Sequence, residues 1–460
     1  MSLDPSPVQS RVAIAFQAGA LVWAPAWAQL DQLYPNLVTS YQIDRGRQFE
    51  LDRTDVGRAT VEIADVDGVL DPTNPSSPYV GLIEPLKQVQ INRFNPVDGN
   101  WYRRFRGWIE EYDYSFHPSQ RVNMLTLACV DIFEILAAVE MQLTDPPTWG
   151  IQCPKQSDGN ICWYDGDPID TRINQILGQA NIPDEFSIVF TGNVHLWGYP
   201  TSPGESALTA IQEAADAEFP GVANVYTDRY GRLCAHGRYA RFHPAEVAAS
   251  AGDDAWDWHH WQAGDSQAVA VAPGSTAHLR RFAANRGLAK IINSAVATPV
   301  WVSSNGGTAA PPTPAQLVAQ LEQDTASQGS YGIRSWSAEN LLTMESVDGL
   351  SDSLVETKRF AEYYVRNYAA PRNRVTDIAF RTMRPGQPGA TTTWNLLSKV
   401  DIADQIDVTV QSPGGGGLTS EPYFVEGVHE TVQPLNDAYD DVTLTLDLSP
   451  QAYFENDPWA

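Results

Sequence analysis

Cysteine is scarce: four in 460 residues, too few for a disulfide scaffold. Lysine occurs only at Lys87, Lys155, Lys290, Lys358 and Lys399, so arginine supplies most of the positive charge. Basic residues number 30 against 56 acidic ones, a net charge of −26. That balance argues against nonspecific binding to nucleic-acid phosphates. No apolar run approaches the roughly 20 residues of a membrane helix. The opening MSLDPSPVQSRV has no basic stretch followed by an apolar one, so no secretory signal is expected. Catalytic signatures are missing too: there is no G-x-S-x-G, H-E-x-x-H or P-loop.

What is present is a globular composition, 43% hydrophobic, in a chain long enough for roughly two to four domains. The 33 glycines and 32 prolines are spread along it, as in a β-rich protein with many turns. Alternation predicts strands at 12–16, 38–43, 59–63, 89–91, 101–114 and 122–130, with a short helix over 131–139. Residues 145–165 read as a loop. Helical spacing follows at Ile169–Ala180 and Ser206–Ala217, then a hairpin from Asn224 to Ala235 around Asp228–Arg232. Residues 243–283, with WDWHHWQ at 256–262, have no clear period. Strand character returns from Ile291. A short helix is expected over Pro314–Gln323, and a longer one from Asp352 that puts Leu354, Ala361, Val365 and Tyr368 on one face before Pro371. Strands at 375–380, 406–410, 423–432 and 442–448 close the pattern, with a glycine turn at 414–417.

Two distant segments share a pattern. In each, a glycine is followed three residues on by glutamate (Gly107/Glu110 and Gly427/Glu430), then by a turn and a final alternating strand from Val122 or Val442. An alternating strand precedes each, Val89/Ile91 and Val408/Val410. Two related β-domains would produce this, and so would two ordinary hairpins. If the domains are related, three copies of the chain suffice for a pseudo-sixfold ring.

The stretch Ile43 to Gly81 resembles the N-terminal signature of tail-tip or baseplate-hub proteins of tailed bacteriophages, especially the minor tail proteins of long-tailed actinobacterial phages. The matching residues are Arg45-Gly46-Arg47, Leu51-Asp52, Gly57-x-Ala59-Thr60-Val61, Asp67-Gly68, Asp71-Pro72-Thr73-Asn74 and Ser77-Pro78-Tyr79. Further similar blocks are Glu205–Leu208 with the hairpin Asp228–Leu233, Tyr331-Gly332-Ile333-Arg334-Ser335 with the helix to Tyr368, and Phe424-Val425-Glu426-Gly427-Val428. The resemblance implies a mainly β fold with an α+β insertion: two β-barrel-like, ring-forming hub domains plus a small α/β domain. The expected division is 1–145, first hub domain; 146–242, small α/β domain; 243–284, insertion of uncertain structure; 285–460, second hub domain including helix 352–369. It also implies a structural virion protein at the distal end of the tail rather than an enzyme, with no catalytic, metal or cofactor-binding residues and no cofactor. Expected partners are two further copies in a homotrimer, a tail-tube or distal-tail protein, the tape-measure protein, and tip or receptor-binding proteins, with genomic DNA passing the channel unbound. A C-terminal cell-wall-degrading domain is not expected, since few residues follow the last strand.

Cys153-x8-Cys162 reads as half a metal site, a loop disulfide or free thiols, whereas Cys129 and Cys234 lie in strand-like runs and read as core. Asp65-x-Asp67-Gly68-x-x-Asp71 hints at calcium but fails the EF-hand spacing, and Asp and Asn beside Gly and Pro are ordinary turn formers. His259-His260 suits a sugar or metal patch, or aromatic packing. Carboxylate pairs such as Glu110-Glu111 are unavoidable among 56 acids. Two alternatives remain beside the hub: a carbohydrate-binding or glycoside-hydrolysing β-protein using the 14 tryptophans and an acid pair, and a sixfold distal-tail protein.

Overall fold

The computed structural model describes residues 10–30, 38–117, 122–141, 167–196, 204–251, 257–299, 302–303, 319–346, 354–372, 374–411, 418–435, 438–454 and 457–459. The fold is mainly β, with a large sheet carrying helices and a smaller three-stranded sheet beside it.

Its N-terminal part holds β1 (Ser10–Ile14), β2 (Val38–Gly46), β3 (Asp55–Asp65), β4 (Gln88–Phe94), β5 (Trp101–His117) and β6 (Val122–Val130). Period-two patterning explains them. In β3, Gly57, Ala59, Val61 and Ile63 are buried while Arg58, Thr60 and Glu62 are exposed. The helix α1 (Ile132–Ala138) follows, with Asp131 as N-cap accepting from the Phe133 N–H at 3.0 Å.

The middle of the chain forms α2 (Ile169–Gln179), β7 (Ser187–Val189), α3 (Ala207–Glu218) and the hairpin β8 (Asn224–Thr227) with β9 (Leu233–His236). Strand β9 lies between β8 and β7. Helices α1, α2 and α3 share a core with Trp108, while Tyr226 and Cys234 of the hairpin belong to the core of the large sheet. The turn at Gly231 (φ +78) is closed by Asp228, whose carboxylate accepts from the Tyr230 and Arg232 N–H groups at 2.9 Å each.

Beyond it lie β10 (His260–Gly264), β11 (Arg281–Asn285), β12 (Ser294–Pro299), β13 (Gln320–Gln323), α4 (Thr325–Tyr331), β14 (Ser335–Leu341), α5 (Glu356–Tyr368), β15 (Arg374–Arg381), α6 (Ala390–Lys399), β16 (Gln405–Gln411), β17 (Leu418–Gln433) and β18 (Asp441–Pro450). Residues 243–284, set apart in the sequence, supply β10, which pairs with β16, and β11, which pairs with β15.

One expectation is corrected. Gln320–Gln323, given to a short helix, is strand β13 paired with β12, and the helix begins later, at Thr325. Asp324 explains the shift: its carboxylate accepts from the Ser327 N–H at 2.9 Å and starts α4 there. Helix α6 went unrecognised because its first turn, in ATTTWNLLSK, carries three β-branched threonines after Ala390. Tertiary contacts compensate, with Trp394, Leu396 and Leu397 buried. Helix α5 buries the expected face and takes its N-terminal cap from afar. The buried Glu345 carboxylate accepts from the N–H groups of Val355, Glu356 and Thr357.

The two ends of the chain have the same pairing scheme. In the first, β4-β5-β6-β3-β2 are neighbours in that order, all antiparallel. In the second, β16-β17-β18-β15-β11 repeat the order, again all antiparallel and in the same sequence order. A sixth strand lies beside each, but β1 runs antiparallel to β4 while β10 runs parallel to β16. The Gly107 and Gly427 segments fall on the equivalent strands β5 and β17. Their glutamates differ: Glu110 is exposed at a β-bulge, and Glu430 points into the core between Val428 and Val432.

Candidate assembly interface

The two units meet where β2 pairs antiparallel with β17, from Tyr41 opposite Val432 to Gly46 opposite Gly427. Strand β17 is long enough for its one edge to carry β16 along Leu418–Phe424 and β2 along Gly427–Val432. At the end of this seam the backbones approach closely. Gly46 has φ +98, and a Cβ there would stand 2.2 Å from the Glu426 carbonyl oxygen. Only glycine fits.

Buried ion pairs fill the seam. Arg45 reaches Asp401 at 2.8 Å, and Asp401 also accepts from the Arg229 N–H at 2.8 Å. Arg47 and Arg241 both bind Glu426, at 2.8 and 2.9 Å, and the Ser449 hydroxyl donates to its other oxygen. Burial alone would raise the Glu426 carboxyl, but Arg241 and Arg47 hold it down to about 2. Arg93 of β4 and Arg104 of β5 converge on Glu430. The same arginines donate to carbonyls of Leu397, Ser398 and Val400 at the end of α6, where the helix dipole favours positive charge. Across the seam, His429 lies between Asp44 (2.9 Å) and Asp447 (2.8 Å). Hydrogen bonds to Asp44 and Asp447 raise its imidazole to about 9.

These contacts give a physical meaning to two separate sequence blocks. Arg45-Gly46-Arg47 and Glu426-Gly427 are partners in space: the Arg47 N–H donates to the Glu426 carbonyl at 3.0 Å while the side chains pair. The hairpin Asp228–Leu233 joins them through Arg229 and Asp401. Sequence reasoning noted Glu430 only as part of the repeat with Gly427 and did not single out Arg93 or Arg104. The readable signal was parity, since Glu430 occupies an inward position of an alternating strand.

The other candidate residues fall as follows. Cys153 and Cys162 lie outside the described residues. Cys129 and Cys234 are buried free thiols of the main core. Asp65 accepts from the Val69 and Leu70 N–H groups (2.7 and 2.9 Å) and Asp71 from Thr73 (2.8 Å), so these acids build turns. Burial raises the Asp65 carboxyl. His260 pairs with Asp407 at 3.0 Å, and the Trp261 indole N–H donates to Asp404 at 2.8 Å, tying this segment to β16 and its approach. Among the described residues, no group of three or more His, Cys, Asp or Glu is placed to hold a metal ion. Glu110 pairs with Arg58 at 3.4 Å on the surface, and Glu111 beside it is exposed. Most described tryptophans pack in cores, but Trp336 also lines an open pocket of about 400 Å³ with Arg53, Glu213 and Asp216. Trp108 and Trp394 are buried, Trp336 packs on Tyr364, and Trp459 joins the Phe219 and Phe360 cluster.

No family model matches the chain, and no curated protein matches it in sequence. Solved structures do match. A tail protein from Neisseria meningitidis MC58 aligns over 97% of this chain and 98% of its own, with a TM-score of 0.50 and 12% identity. The 43 kDa tail protein of prophage MuSo2 from Shewanella oneidensis aligns over 96% of this chain and 99% of its own, with a TM-score of 0.50 and 11% identity. The chain therefore has the fold of phage tail proteins.

Proposed function

We propose that this chain is a structural hub of a phage tail, forming a trimeric ring at the distal end of the tail tube. The carrying observation is the duplication: two units with the same strand order and directions, joined into one sheet through β2 and β17. Three such chains present six similar units and so match a sixfold tube above to a threefold tip below. A sixfold distal-tail ring would need one unit per chain, and the second unit weighs against it.

In this reading the protein works by binding, not catalysis. Its neighbours are the tail-tube or distal-tail ring, the tape-measure protein and the tip or receptor-binding proteins. Surplus negative charge facing the channel would repel DNA phosphates and keep the genome mobile. The small α/β region between the units would sit outside the ring.

Electron cryomicroscopy of intact tails tests this directly. Three copies per ring, each giving two β units around the channel, are expected. Six copies would sink the symmetry-matching role, and absence of the chain from the particle would sink the virion role. Trp108 and Trp394, buried in cores, offer nothing to a glycan-binding or hydrolytic role.

A further inference from the structure

We propose that strand β11 of one chain adds to the uncovered edge of β5 in a second copy, repeating between chains the β2–β17 pairing made within one. This deepens the ring reading above and rests on it.

The strand order makes β11 the counterpart of β2, and β5 the counterpart of β17. On β17, one edge carries β16 and then, past its end, β2. On β5, the corresponding edge carries β4 along Trp101–Trp108 and then, among the described residues, no strand at all. The far half, Glu110 to His117, is paired only on its other edge, by β6. Strand β11 has the complementary vacancy: among the described residues it pairs with β15 alone.

The surfaces of the two strands point the same way. Arg281, Phe282, Ala284 and Asn285 of β11 are all exposed, on both faces of the strand, and Phe282 is 41% exposed. On β5, Tyr114 is 37% and Phe116 61% exposed. Long, apolar, uncovered strand edges are what proteins ordinarily avoid, because they invite another strand. Charge selects the pair. Arg280, Arg281 and Arg286 flank or occupy β11, while Glu110, Glu111 and Asp113 lie on β5. Two of these have partners already, Arg281 with Asp377 and Glu110 with Arg58, both on the surface. Docking β11 on β5 brings opposite charges together and covers the aromatic side chains. The contact is head-to-tail, so it propagates until the rotation closes it into a ring.

The test uses the full chain with paired charge reversals: Arg280→Glu with Arg286→Glu, and separately Glu111→Arg with Asp113→Arg. All four residues are exposed, so folding should be unaffected, and circular dichroism and thermal melts check this. Sedimentation velocity across a concentration series reads self-association. Hydrogen exchange reads protection at residues 110–117 and 280–286. Either reversal alone should weaken self-association by about tenfold or more, and combining both reversals in one chain should restore it, because every contact of a three-membered head-to-tail ring is then complementary again. Protection at both segments should rise with association. Self-association that survives each reversal made singly, with no protection at either strand, overturns the strand pairing but leaves the ring reading standing. A wild-type chain that stays monomeric up to its solubility limit overturns both.

Discussion

Arg93 on β4 and Glu430 on β17 form an ion pair closed to water, their side chains 1% and 0% exposed, though they come from opposite ends of the chain. Arg104 shares the same carboxylate at 3.1 Å. Removing one member of such a group leaves charge buried without a partner. Glu430→Ala is therefore expected to destabilise the chain by about 3–5 kcal/mol. Denaturant unfolding measures it, and a loss below about 1 kcal/mol would mean that the arginines find other acceptors or water.

Gly46→Ala should also destabilise, by about 1–3 kcal/mol or more, because the new Cβ meets backbone at a positive φ and no side-chain rotation relieves it. The damage should concentrate on the seam. Hydrogen exchange in β2 and in Gly427–Val432 of β17 should quicken before exchange in β3 and β6. Uniform quickening would show that the seam is no weaker than the rest.

His429 predicts a pH dependence. Its folded value, about 9, lies above the ordinary 6.5. Its contribution is therefore complete below about 6.5 and is lost as pH rises through about 9. The ring is partly exposed, so the effect should stay below about 1 kcal/mol after screening. Comparing melts of wild type and His429→Gln between pH 6 and 10 isolates it. The two curves should converge at the alkaline end, and parallel curves would contradict the assignment.

Cys129 and Cys234 should resist maleimide labelling in the folded chain and react once it is unfolded. Both are buried, and burial raises both thiols above the ordinary range. Peptide mapping by mass spectrometry reads each thiol separately. Rapid labelling of either one under native conditions would show local opening of the main core.

The strands were legible because half-buried strands announce themselves by alternation. β3 and β18 are nearly pure examples, with Val442, Leu444, Leu446 and Leu448 all buried. Helix α5 was legible from its apolar face, but its start was not, since its cap comes from Glu345 through a contact absent from local sequence. Helix α6 is decided by packing against the sheet, which no window of residues contains. The acid at inward-facing Glu430 was readable as an anomaly of parity, but its partners on β4 and β5 were not. The shared Gly and Glu marked the equivalent strands β5 and β17, but the order of the strands around them comes from pairings distant in sequence, which no local pattern contains.

The seam also orders events in time. His429 and its partner Asp44 are 385 residues apart, so β2 keeps a bare edge until β17 has left the ribosome. At 5–20 residues per second that wait is roughly 20–80 s. Exposed edges recruit other strands. During synthesis, therefore, the N-terminal unit is the segment most in need of a chaperone, and neighbouring nascent chains on one message are the partners most able to capture it by swapping.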